Sequence, residues 1–242
     1  MMLERIQFDT DATYLTVDCT GGFKSSLLLY LAAKDISEHG YPTIIIPLVT
    51  NRINGSGDSR WDRQVAQPAV LEQVAYIKGK FPNVEIREPL VINANFYWIR
   101  VLRDYNMIDV SEKALVRHVY DFVTHRFLFD EGAAREGVPG VISLNAQCTT
   151  LPEHAAPYDF EKVFHNSTVD AIGQGVRHTL EQGNVIVWQP FFNLNKQEIV
   201  NIANTLNIKD ELKLLTQNCE SLDVSCGVCY KCKENKWAKL ND

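Results

Sequence analysis

A short apolar strand that runs directly into a Gly-Gly turn, and from there into an apolar helix, constrains this chain more than any other feature. Tyr-Leu-Thr-Val-Asp-Cys (Tyr14–Cys19) reads as a buried strand. Thr20-Gly21-Gly22-Phe23-Lys24-Ser25-Ser26 follows at once, and the helical run Leu27–Ala33 follows that. This order aims the backbone N–H groups of a helix start at an anion. Adjacent glycines let the backbone come close to a ligand with no Cβ between them. The segment predicts a phosphate-binding loop, with Thr20, Gly21, Gly22, Phe23, Ser25 and Ser26 as contacts and Lys24 as its charge. It matches a Walker A loop poorly, because one residue separates Gly22 from Lys24 and the upstream glycine is missing.

The rest of the chain repeats the strand-and-helix alternation. Helix Lys24–Glu38 leads to strand Thr43–Val49, and Asn51–Ser59 is Gly-, Asn- and Ser-rich and reads as a loop. A helix follows, with Pro68 near its start and Val70, Val74, Ile77 and Phe81 on one face. Val84–Ile92 is a third strand, Ser111–Phe129 a helix, Val141–Leu144 a fourth strand and Val185–Val187 a fifth. Near-continuous apolar strands between helices predict an α/β fold, with a parallel sheet covered on both faces. Asn195 and Glu198 are spaced as a capping box before the stripe Ile199, Ile202, Ala203 and Leu206. This helix opens a small C-terminal helical region. The division predicted is an α/β nucleotide-binding domain at 1–194 and a metal-bound region at 195–242.

At 242 residues and 45% hydrophobic, the chain can bury a sizeable core. Its net charge of −6 argues against general nucleic-acid binding. Apolar runs are too short to span a membrane, and the acidic N-terminus has no signal-peptide core, so the chain reads as cytoplasmic. The sequence leaves a homodimer open.

Cys219-x6-Cys226-x2-Cys229-x2-Cys232 places four thiols in one short segment. Four sulfurs suit a closed tetrahedral zinc site, with Gly227 freeing the backbone to wrap the ion. A Cys-x2-Cys-x2-Cys run also suits an iron–sulfur cluster. Cys148, at a strand end, reads as a small buried residue or as a nucleophile, and Cys19 as a core residue. His118 and His125, two turns apart on one helix, make no metal site by themselves. His154, His165, His178 and Arg60 show no legible pairing.

Three elements, in order, resemble the 7-cyano-7-deazaguanine synthase family of the PP-loop ATP pyrophosphatases. Thr20-Gly21-Gly22-Phe23-Lys24-Ser25 is similar to that family's Ser-Gly-Gly-x-Asp-Ser loop. Pro190–Ile199 is similar to its Pro-x-x-x-Leu-x-Lys-x-Glu-Ile segment. Cys219 with Cys226–Cys232 is similar to its zinc-binding tail. The resemblance implies a three-layer adenine-nucleotide α-hydrolase-like fold, with ATP bound at the loop. A substrate carboxylate would attack the α-phosphate, pyrophosphate would leave, and ammonia would convert the acyl-adenylate to an amide. A second ATP would then dehydrate the amide to a nitrile. The implied substrate is 7-carboxy-7-deazaguanine or another small carboxylate. Loop N–H groups and Mg²⁺ would neutralise the pyrophosphate, and Lys196, at a helix start, would add its charge.

Several positions depart from that family. Lys24 stands where the loop aspartate would help hold Mg²⁺, and lysine supplies no oxygen ligand. It can touch phosphate directly as a point charge, or mark lost catalysis. Cys148 stands near another expected aspartate, and Ala156-Pro157-Tyr158-Asp159 matches a Tyr-Pro-Asp segment only approximately. After the last cysteine, Lys233 and Lys236 replace an expected arginine. Three readings stay open: an ATP-dependent ligase, a degenerate PP-loop protein that binds a nucleotide or a partner without turnover, and a PP-loop sulfur transferase.

Overall fold

The computed structural model describes residues 12–53, 66–95, 141–144, 146, 148, 170–171, 176–179, 185–192, 194–217, 219, 226–228 and 230–240. Within them, seven strands and five helices alternate. The strands are β1 (Tyr14–Asp18), β2 (Ile44–Ile53), β3 (Leu90–Asn95), β4 (Val141–Leu144), β5 (Asp170–Ala171), β6 (Val176–Thr179) and β7 (Val185–Gln189). The helices are α1 (Phe23–His39), α2 (Ala66–Lys80), α3 (Lys196–Thr205), α4 (Lys209–Leu214) and α5 (Tyr230–Trp237).

One sheet holds every strand, in the order β3-β2-β1-β4-β7-β6-β5. The first five are parallel, and β6 and β5 add an antiparallel edge. β1 lies at the centre with Leu15, Thr16 and Val17 fully buried, as a strand covered on both faces must be. Chain order runs outward from β1 to β2 and β3, then returns to β4 on the other side. The direction of winding therefore reverses between β1 and β4. In open parallel sheets the crevice at the C-terminal ends of such strands is where ligands bind.

Helix α1 is buried almost all round. Leu27, Leu28, Leu29, Leu31, Ala32, Ala33 and Ile36 join one core with Val70, Val74 and Ile77 of α2 and Ile199, Ile202 and Leu212 of α3 and α4. That core extends to Ala238 and Leu240, just past α5. Burial on several sides explains why the helix reads as apolar without a polar stripe. Helix α3 begins with the predicted capping box: Asn195 Oδ1 accepts from the Glu198 N–H at 3.0 Å, and the Glu198 carboxylate accepts from the Asn195 N–H at 2.7 Å.

Several boundaries differ from the sequence reading. The strand expected over Val84–Ile92 is a single bridge from Ile86 to Ile45, followed by β3 from Leu90. Pro89 lies between the two and has no N–H to continue a ladder. Asn51–Ile53, expected in a loop, continue β2. Cys19 falls just outside β1, although its N–H still donates to the Leu48 carbonyl at 2.7 Å. The β5–β6 hairpin was not legible in the sequence. The expected helix Ser111–Phe129 lies outside the described residues.

Gln73 of α2 is fully buried and joins three segments. Its Nε2 donates to the carbonyls of Gly21, at 3.0 Å, and Leu215, at 2.9 Å. Gln73→Leu removes both bonds at constant bulk and leaves a buried carbonyl short of a donor. The expected loss is roughly 1–3 kcal/mol in urea unfolding. A loss indistinguishable from zero would mean that these bonds do not hold the loop.

Candidate functional site

The loop leaving β1 is built by its own hydroxyls. Gly21 has φ +73°, a conformation that glycine adopts without strain. Its carbonyl accepts two hydrogen bonds, from Gln73 Nε2 and from the Gln217 N–H at 3.0 Å. The turn is therefore held from outside as well as from within. Ser25 Oγ accepts from the Thr20 N–H at 3.2 Å and donates to the Gly22 carbonyl at 3.0 Å. Ser26 Oγ donates to that same carbonyl at 2.9 Å.

Gly22 is the N-cap of α1, in ordinary extended geometry, and contributes no capping side chain. No acidic residue occupies the first turn. The positive end of a 17-residue helix thus starts at a residue without a side chain. A Cβ built on Gly22 would meet only Thr20 Oγ1, at 3.5 Å, an ordinary contact. The protein's own packing does not require glycine there. Phe23 points into the core at 1% exposure, so only its backbone is available to a ligand. Thr20 is exposed.

Three residues from three loops meet at the C-terminal edge of β1, β4 and β7. Lys24 lies in the first turn of α1, Cys148 lies four positions past β4, and Lys196 opens α3 after β7. Lys24 Nζ donates to Cys148 Sγ at 3.0 Å, across the switch point. Lys196 is 6% exposed, and its Nζ is 3.0 Å from Glu234 Oε2 of α5. Burial holds the Lys196 ammonium below the ordinary lysine range. Glu234 opposes that shift, Lys24 reinforces it by repulsion, and Cys148 also opposes it. Lys24, Cys148, Lys196 and Glu234 therefore form one electrostatic unit. The roles of Cys148 and Glu234 carry no local sequence signal, since their partners lie 124 and 38 positions away.

Cys19 is a different case. Burial, then the adjacent Asp18 charge, pushes its thiol far above the usual range, against a smaller effect of its backbone bond to Leu48. It is a core residue and not a nucleophile.

The C-terminal cysteines converge. The sulfurs of Cys219, Cys226 and Cys232 lie within 4.8 Å of one another, with Cys226 and Cys232 at 3.9 Å. Thiolates about 2.3 Å from a tetrahedral zinc stand roughly 3.8 Å apart. This spacing is compatible with a shared metal ion. Gly227, at φ +71°, turns the chain between the sulfurs. Cys229 lies outside the described residues, as do His118, His125, His154, His165, Arg60 and 156–159. His178 lies in β6. Lys233 and Lys236 lie on α5 and are exposed.

No family model and no curated protein matches the sequence. Among solved structures, the chain is similar to an NH3-dependent NAD synthetase from Campylobacter jejuni in complex with the nitrate ion. The identity is 16% and the TM-score 0.40, covering 85% of this chain and 68% of that one. It is also similar to the U34-tRNA thiolase NcsA from Methanococcus maripaludis with its 4Fe-4S cluster. There the identity is 11% and the TM-score 0.44, covering 97% and 68%. Likeness at this level identifies neither family nor activity. Among the described residues, no helix is long and apolar enough to cross a membrane.

Burial of Lys196 makes stability depend on pH. Its folded-state pKa lies below its unfolded value, so in the window between them the unfolded chain binds the extra proton. Stability therefore rises with pH across that window. Denaturant unfolding of wild type against Lys196→Met should show this rise in wild type only. Glu234→Ala leaves the Lys196 charge buried without its partner and should cost about 3–5 kcal/mol.

Proposed function

We propose that the chain is an ATP-dependent ligase of the PP-loop type, which activates a small carboxylate as an adenylate and passes it to ammonia. One observation carries this reading: the loop after β1 places Lys24 and the start of α1 at the switch point, where Lys196 also contributes its charge. A loop of backbone donors flanked by two lysines suits a leaving pyrophosphate. The order of the loop, the Lys196 segment and the cysteine tail adds the resemblance to 7-cyano-7-deazaguanine synthases.

In this reading, a carboxylate oxygen of the substrate attacks the α-phosphorus of ATP. The bond to the bridging oxygen breaks, and pyrophosphate leaves against the amides of Gly22, Phe23 and Lys24. Charge developing on the leaving group is stabilised by donors already fixed in place, without reorganisation during the step. Lys24 and Lys196 add positive charge at the same edge. Ammonia then attacks the acyl carbon and releases AMP, giving an amide. With 7-carboxy-7-deazaguanine as substrate, the amide oxygen would attack a second ATP and release pyrophosphate, and loss of that oxygen with AMP and of the N–H proton would give the nitrile. Zinc, when bound to Cys219, Cys226 and Cys232 with Cys229 as fourth ligand, would fix α5 and supply folding free energy. It would have no part in the bond-making steps.

The contact between Lys24 and Cys148 favours a second reading. A cation paired with a thiol where oxygen ligands are expected also suits a protein that binds nucleotide without turnover. The two readings separate in one assay. Purified protein with ATP, Mg²⁺, ammonium and 7-carboxy-7-deazaguanine should release pyrophosphate and AMP and yield product of the nitrile mass. ATP binding without pyrophosphate release from any carboxylate would overturn the ligase reading. Lys24→Asp adds direction: lost turnover marks Lys24 as an adapted phosphate ligand, and gained turnover marks it as the lesion.

For the tail, elemental analysis should find zinc and no iron in a colourless protein. Stripping the metal with a chelator should lower the unfolding midpoint.

A further inference from the structure

The Gly21 carbonyl and the Gly22 N–H belong to one peptide unit. That unit is trans and planar, so the two groups point in opposite directions. Whatever holds the Gly21 carbonyl therefore aims the Gly22 amide, the first of the amides assigned to a phosphate. Two donors hold it, Gln73 Nε2 and the Gln217 N–H, each at 3.0 Å. Gln73 is fixed by full burial in α2. Gln217 has no such anchor of its own. From Lys213 to Gln217 no side chain is buried, and Leu214 is 86% exposed. A stretch with so little buried apolar surface opens at low cost.

Two residues past Gln217 stands Cys219, whose sulfur lies within 4.8 Å of those of Cys226 and Cys232. The far side of this cluster is well anchored. Cys232 is buried in α5, and Ala238 and Leu240, just past that helix, belong to the core. Glu234, two residues past Cys232, accepts from Lys196 at the start of α3. A metal ion shared by the three sulfurs would therefore join a weakly held stretch, which touches the Gly21 turn, to a helix that the core holds firmly.

We propose that metal held by the cysteine tail aims the Gly22 amide through Gln217, so that phosphate affinity at the loop follows occupancy of the metal site. Gln217 is a positioning residue, and it acts through its backbone N–H. This rests on the phosphate reading of the loop and deepens it, by giving the tail a specific task in the site beyond support of the fold. The coupling is reciprocal: a phosphate that favours the aimed amide also favours the held tail, and so retention of the metal.

The test is hydrogen–deuterium exchange of the full chain, loaded with zinc and then stripped by a chelator. On stripping, peptides covering Thr20–Ser26 and Gln217 should exchange roughly tenfold faster, within the range of coupling between sites. The β1–β2 ladder, Leu15 against Ile45, should keep its protection. Calorimetric titration with inorganic pyrophosphate, after removal of the chelator, should show roughly tenfold weaker binding by the stripped chain. Gln217→Pro removes the donor and should weaken binding similarly at unchanged zinc content. Cys219→Ala repeats the test without altering the backbone, and should loosen the loop even with zinc present. Equal loop exchange with and without zinc overturns the proposal. So does loss of protection throughout the sheet, which would make zinc a support of the whole fold. Both results leave the phosphate reading intact. No pyrophosphate binding by the zinc-loaded chain overturns that reading, and this proposal with it.

Discussion

The ion pair between Lys196 and Glu234 is the interaction on which the site depends. Both groups are buried, and taking two charges out of water costs several kcal/mol per ion before their attraction is counted. Such a pair is weak evidence of stability. Its use here is positional. Lys196 opens α3, the helix that follows strand β7, and Glu234 sits in α5, two residues past Cys232. Whatever fixes the cysteine tail therefore also fixes the carboxylate that opposes the effect of burial on Lys196. In this way the tail takes part in setting the electrostatics of the crevice without lying in it.

The loop is tied to the same region by a second route. Two donors hold the Gly21 carbonyl: Gln73 from α2 and the Gln217 N–H from the segment after α4. Gln73 also holds the Leu215 carbonyl. The left-handed turn at Gly21 is thus shared by three distant stretches of chain. Ser25 and Ser26 spend their hydroxyls on the Gly22 carbonyl and on the Thr20 N–H, inside the loop. Both hydroxyls thus help to shape the turn from inside it.

Features with a local physical cause were legible in the sequence. The β1 strand, the Gly21 turn, the α1 start and the Asn195–Glu198 capping box each depend on residues a few positions apart. The convergence of Cys219, Cys226 and Cys232 was legible for the same reason. The third strand was misread because Val84 to Ile92 is apolar enough for a strand throughout. The chain pairs once at Ile86 and resumes a ladder only after Pro89. No pattern near Cys148 or Glu234 announces a lysine partner, because both contacts are made by strand order and helix packing. The winding reversal between β1 and β4 is itself a property of the whole sheet. It brings residues 24 and 148 together, and no spacing rule links them.

That contact also changes how Lys24 has to be understood. Taken alone, a lysine in the first turn of a helix, at its positive end, looks misplaced. Cys148, taken alone, looks like a buried small residue. Joined at 3.0 Å, they are coupled, and residues in direct contact do not contribute independently. A single change at either position exposes the other: an aspartate at 24 would face a thiol, and an aspartate at 148 would pair with the lysine. The coupling between the two positions is measured by comparing the double variant with the two single ones. The charge on this edge belongs to four residues on four segments, and a change at one of them is felt by the others.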